Sequence, residues 1–90
     1  MTLQYSKQFL NDVGRLNKKQ IEQLQERLLL FEKHPTDPQL NNHKLKGKLK
    51  GYCSINISGD LRAIYRIEGR KSDDVIIKFI RMNTHSELYG

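Results

Sequence analysis

"YCSINISGDLRAIYRI", residues 52–67, decides the fold. Its apolar positions recur at every second residue: Cys53, Ile55 and Ile57 point one way and Ser54, Asn56 and Ser58 the other, as in a strand with one face on a core. "SGD" at 58–60 is turn chemistry, and "LRAIYRI" at 61–67 resumes as a second strand, so the stretch predicts an antiparallel hairpin. Downstream, the polar "EGRKSDD" turns the chain into "VIIKFIRM" at 75–82, the most apolar run and the expected central strand. Upstream the period changes. After a short edge strand "LQY", Ser6 caps a helix with Phe9, Leu10, Val13 and Leu16 at helical spacing, ended by Gly14 and Asn17. Asn17 and Gln20 form a capping box that opens a second helix over about 18–33, with Ile21, Leu24, Leu28 and Phe31 on one face, widened by Leu29 and Leu30. Pro35 stops it. The expected architecture is α+β: an N-terminal helical hairpin packed on one face of a small antiparallel sheet, a single domain over residues 1–90, with the other sheet face open.

Ninety residues bury only about 60–65% of the surface of the unfolded chain, so stability is expected to be modest. The formal net charge of +6 points to a polyanionic or acidic partner. The excess is local, because no acid lies between Asp37 and Asp60, while "HKLKGKLKGY" at 43–52 carries Lys44, Lys46, Lys48 and Lys50. As a helix this stretch would carry Gly47 and Gly51 at about 1 kcal/mol each, so it reads as extended, with the lysines in one row of like charge. The single cysteine, Cys53, cannot form an internal disulfide, and its place in the alternation suggests a buried thiol in a reducing compartment. No secretory segment is evident, and the longest apolar run, Leu28 to Phe31, is far short of the roughly 20 residues of a membrane span, so a cytoplasmic protein is expected.

His34, His43 and His85 show no metal-site spacing, and neither Cys53 nor any serine lies in a hydrolase signature, so no metal or cofactor is expected. What remains is a cationic surface with imidazoles, a carboxylate at Asp60 and an arginine at Arg62. Cleaving RNA through its own 2′-hydroxyl requires a base, an acid and cations for the phosphorane charge. Histidine suits both proton roles near neutrality, and Arg62 offers a planar fork to a phosphate. Taken singly, each residue has a plainer explanation: a solvated loop for the lysines, a turn for Asp60, exposed strand positions for Arg62 and Arg81, surface sites for His43 and His85, and a tail anchor for Tyr89.

Taken together, two helices, then "HKLKGKLKGYCSINISGDLRAIYRI", an apolar strand and "RMNTHSELYG" resemble the RelE/ParE superfamily of bacterial toxins, and its YafQ-like branch through the "THSELYG" ending. The resemblance implies a RelE-like fold and the toxin of a type II toxin-antitoxin system. It implies an mRNA interferase, an endoribonuclease acting on mRNA in the ribosome and silenced by a cognate antitoxin. Carried over, the functional positions are His43, Asp60, His85 and Tyr89, with Arg62 on the phosphate; Lys44, Lys46, Lys48, Lys50, Asn56 and Arg81 are the RNA-binding candidates. Asn56 stands where these toxins often place a histidine and Leu61 where they place a tryptophan, which leaves acid and base roles open among His43, Asp60 and His85. The alternatives are a ParE-like toxin that inhibits gyrase without cleaving nucleic acid, or a non-catalytic RNA-binding module.

Overall fold

Two side-chain oxygens start the helices. In the computed structural model, which describes residues 1–84, Ser6 Oγ accepts a hydrogen bond from Phe9 N at 3.0 Å and opens α1 (Lys7–Val13). At Asn17 both arms of the capping box form: Asn17 Oδ1 accepts from Gln20 N at 2.8 Å and Gln20 Oε1 from Asn17 N at 3.0 Å. The helix this opens, α2 (Lys18–Lys33), ends at His34, the residue before Pro35. The apolar stripes are narrower than their spacing suggests. Leu10 and Leu29 are exposed, whereas Leu16, which follows α1 rather than lying in it, packs on the core.

That core is aromatic. The Phe31 ring lies 5.0 Å from Tyr65 and 5.6 Å from Phe79, and Phe9 lies 5.6 Å from Phe79, joining both helices to the sheet. The sheet contains β1 (Thr2–Tyr5), β2 (His43–Lys44), β3 (Cys53–Asn56), β4 (Leu61–Lys71) and β5 (Asp74–Thr84), in the order β1-β5-β4-β3-β2. The consecutive strands β2 to β5 pair antiparallel, as the hairpin reading requires. At the far edge β1 runs parallel to β5, with Thr2 opposite Ile76 and Tyr5 opposite Phe79, so the sheet is mixed rather than wholly antiparallel. These two strands share no hairpin, so no turn fixes their direction. The parallel direction carries Ser6 onward to donate its N–H to Phe79 O at 2.9 Å, which starts α1 over the core.

Three further features depart from the sequence reading. "EGRKSDD" is mostly strand, because β4 continues to Lys71 and turns through Ser72 and Asp73, with Ser72 at φ 55. The loop before His43 contains a 3-10 turn, Pro38–Leu40, that buries Leu40 completely. Most consequentially, the lysine segment is not an extended row. Only His43 and Lys44 are strand; Gly47 at φ 67 and Gly51 at φ 95 bend the chain around a 3-10 turn, Gly47–Leu49, and Leu45 is buried inside the loop it makes.

Candidate active site

Register assembles a site on the face of the sheet opposite the helices. His43 pairs with Ser54, Ser54 with Ile64, and Ile64 with Arg81, so these four share one cross-strand row. The next row is Asn56, Arg62 and Asn83. Adjacent strands lie about 4.8 Å apart, so His43 and Arg81, three strand spacings apart, mark the two ends of the first row. The centre of this face is not open as expected: Ser54 and Ile64 are fully buried and Arg62 is 8% exposed.

Each functional side chain is held by local structure. Asn41, in the left-handed region at φ 44, presents its carbonyl to His43 Nδ1 at 2.7 Å. A carbonyl only accepts, so Nδ1 carries a proton, and in the neutral imidazole Nε2 is the basic nitrogen. Asn42 fixes the start of β2: its Oδ1 accepts from the Tyr65 hydroxyl at 2.7 Å, and its Nδ2 donates to Pro35 O at 2.9 Å. The phenol it holds is pushed above its ordinary pKa, first by burial and then by Cys53, and stays a neutral donor.

Arg62 is the most constrained charge. Its Nη1 donates to Ser58 O at 2.9 Å, Gly59 O at 3.2 Å and Leu61 O at 3.3 Å, closing the β3–β4 turn. No carboxylate pairs with it, and Nε and Nη2 make no hydrogen bond among the described residues. A nearly buried guanidinium with no ion-pair partner among the described residues suits a phosphate. On the same face, Ser54 Oγ and Asn56 Oδ1 are buried without a hydrogen-bond partner among the described residues, a costly state for groups that no ligand visits.

The structure therefore brings together His43, Asn56, Arg62 and Arg81. Asp60 lies exposed on the β3–β4 turn, two residues before Arg62. Lys44 is not on the His43 face, because it pairs with Cys53 and alternation turns it to the helix side. Lys46, Lys48 and Lys50 are exposed on the bent loop. His85 and Tyr89 lie outside the described residues. Sequence reasoning missed Ser54 and Asn83, although the period of two that placed Asn56 also places Ser54. It missed the anchoring Asn42 too, whose signal is only a polar residue before the histidine. Among the described residues no group of three or more His, Cys, Asp or Glu side chains gathers for a metal. None of their helices is long and apolar enough to cross a membrane.

A helical pair on a five-stranded sheet, with histidine and arginine on the face opposite the helices, defines a small toxin of the RelE/ParE class. The whole chain, residues 1–90, matches the family described as the bacterial toxin of type II toxin-antitoxin system, YafQ, and the protein belongs to that family. A YafQ relative from Haemophilus influenzae is 32% identical over 93 residues, covering 97% of this chain and 90% of that protein. The crystal structure of YafQ from E. coli superposes with a TM-score of 0.74 at 26% identity, covering 98% of this chain and 97% of that one. In the E. coli DinJ-YafQ toxin-antitoxin complex the matching chain gives 0.72 at 27% identity, covering 98% of this chain and 96% of that one.

Proposed function

We propose that the protein is an mRNA endoribonuclease that cuts ribosome-bound mRNA in the cytoplasm and is silenced by a cognate antitoxin. The observation that carries this reading is the pairing of a proton-transfer group with an anion-binding one. His43, with Nε2 as its basic nitrogen, and Arg62, with no acid partner among the described residues, stand on one sheet face. A purely binding toxin needs no titrating imidazole there.

In the proposed reaction His43 Nε2 takes the proton of the substrate 2′-hydroxyl, and the resulting alkoxide attacks the adjacent phosphorus. As the bond to the 5′ oxygen breaks, His85 donates a proton to that oxygen. The products are a 2′,3′-cyclic phosphate and a free 5′-hydroxyl. Arg62, with Arg81 beyond it in the next row, stabilises the charge that builds on the phosphorane. Asn56 and the loop lysines Lys46, Lys48 and Lys50 bind flanking RNA, Asp60 is the alternative base, and Tyr89 positions the scissile phosphate.

Inducing the protein and mapping mRNA ends at single-nucleotide resolution should reveal cuts within translated frames bearing cyclic-phosphate ends. His43→Gln and His85→Gln, which keep polarity but remove the titrating group, should each lower cutting by roughly 10²-fold or more. Parental cutting by both variants would remove the histidines from the mechanism. Gyrase inhibition by a parent that leaves mRNA intact would overturn the nuclease reading.

A further inference from the structure

One cavity that the proposed reaction does not use has a distinctive lining. A pocket of about 610 Å³ opens between the lysine loop and the β3–β4 pair, lined by Lys44, Leu45, Lys46, Lys50, Cys53 and Ile67 among others. It lies beyond the end of the β2–β3 pair. Cys53 pairs with both Lys44 and Tyr65, Tyr65 belongs to the core under the helices, and Ile67 follows Tyr65 by two residues, so this part of the wall lies on the helix-bearing side, whereas Tyr52, next to Cys53 and in contact with Arg66, belongs to the other face. Ile67 is 58% exposed on a strand whose other apolar residues from 61 to 65 are all buried. An isoleucine left in solvent beside an apolar hollow is an unfilled contact.

The rim has one sign of charge. Lys44, Lys46 and Lys50 make no ion pair among the described residues, and the chain has no acid between Asp37 and Asp60. Glu68, the acid nearest Ile67 in sequence, is already held by Arg66 at 2.7 Å. The lining argues against a nucleic acid as occupant. Phosphates would gain only from the rim, and a base would need an aromatic face to stack on. The one aromatic ring here, Tyr52, lies under the Arg66 guanidinium at 6.0 Å, which also reaches its hydroxyl at 3.4 Å. An apolar hollow ringed by lysines fits an apolar side chain flanked by carboxylates.

We propose that this pocket anchors an acidic amphipathic segment of the cognate antitoxin, with an apolar side chain against Cys53 and Ile67 and carboxylates on Lys44, Lys46 and Lys50. The inference rests on the antitoxin-silenced reading above and adds where the antitoxin holds: at the lysine loop beside Cys53 and Ile67. The test uses the full chain purified with its co-expressed antitoxin. Ile67→Asp changes an exposed position, and its urea midpoint, compared with the parent's, checks that the fold is intact. It should weaken antitoxin affinity at least tenfold, and Lys44→Glu, Lys46→Glu and Lys50→Glu together should weaken it further. Cys53, the chain's single cysteine, reports occupancy directly: alkylation by N-ethylmaleimide should slow at least tenfold in the complex. Parental affinity of Ile67→Asp, or equal alkylation of Cys53 in free and bound protein, would overturn the proposal. So would a variant that keeps antitoxin affinity but loses RNA affinity, since the pocket would then belong to RNA. A parent that forms no complex at all would overturn the antitoxin reading itself, and mRNA mapping would show whether the nuclease reading survives.

Discussion

Arg62→Lys separates two roles that one side chain combines. The substitution keeps the charge and most of the stem but replaces a planar fork by a single ammonium. In the parent, Nη1 spans the carbonyls of Ser58, Gly59 and Leu61, while Nε and Nη2 make no hydrogen bond among the described residues. An ammonium must either close the turn or meet the phosphate. A hydrogen bond to a charged group contributes about 1.5–3 kcal/mol, and lysine recovers part of it, so the expected loss of stability is about 1–2 kcal/mol. With a urea slope of about 1–2 kcal/mol per molar, the midpoint should fall by roughly 1 M. A domain that begins near 5 kcal/mol stays more than about 95% folded after that loss. Cleavage should fall much further, by about 10²- to 10³-fold, the cost of removing one preorganised donor from a developing oxyanion. Urea melts and single-turnover cleavage on programmed ribosomes measure the two numbers on the same preparation. Cleavage that drops only in proportion to the folded fraction would refute the reasoning and leave Arg62 as a turn staple.

Phe31→Ala removes the ring that links α2 to Tyr65 and Phe79, and should cost about 3–5 kcal/mol, read as a large drop in urea midpoint; a drop below 1 kcal/mol would place the aromatic core elsewhere. Changing Lys44, Lys46, Lys48 and Lys50 to glutamine should weaken RNA binding and flatten its salt dependence, but by less than the roughly 2.8 in log–log slope that four phosphate contacts would give, because Lys44 faces away from the His43 rows. A full change of that size would mean that RNA engages an unbent lysine segment. Burial raises the Tyr65 pKa above its ordinary value of 10.0, so the folded state favours the neutral phenol; that stability is complete below pH 10 and is lost as pH rises towards the folded value. Tyr65→Phe should flatten the alkaline limb of stability against pH, and identical limbs in parent and variant would refute this.

Much of the fold was legible because it depends on periodicity and local caps. The alternation in "CSIN" and the capping box at Asn17 are each specified by a few adjacent residues, and both formed as read. The lysine segment failed for a physical reason. Alternating Lys and Leu or Gly looks extended, but positive φ at Gly47 and Gly51 is open to glycine at little cost, and burying Leu45 rewards the bend. The parallel β1 was illegible because its direction depends on a partner strand some seventy residues away. At the site, the residue types were readable but their grouping was not. His43 and Arg81 fall in one row through Ser54 and Ile64, at its two ends, a consequence of registers that the hydrophobic pattern constrains only in part.

β2 shows how little chain is needed to serve both faces. His43 and Lys44 are consecutive, and alternation sends the imidazole to the polar rows and the ammonium to the apolar pocket. The strand is held at one end by Asn42 against Tyr65 and Pro35, and at the other by the Leu45 N–H donating to Tyr52 O at 2.9 Å, which closes the lysine loop. A partner seated beside Lys44 thus bears on the same short strand that orients His43, without covering the imidazole. Silencing by such a partner would act on the geometry or accessibility of His43 from behind. That differs measurably from simple occlusion: in the complex a small imidazole-directed reagent such as diethyl pyrocarbonate should still modify His43, whereas an antitoxin lying over the polar rows would protect it.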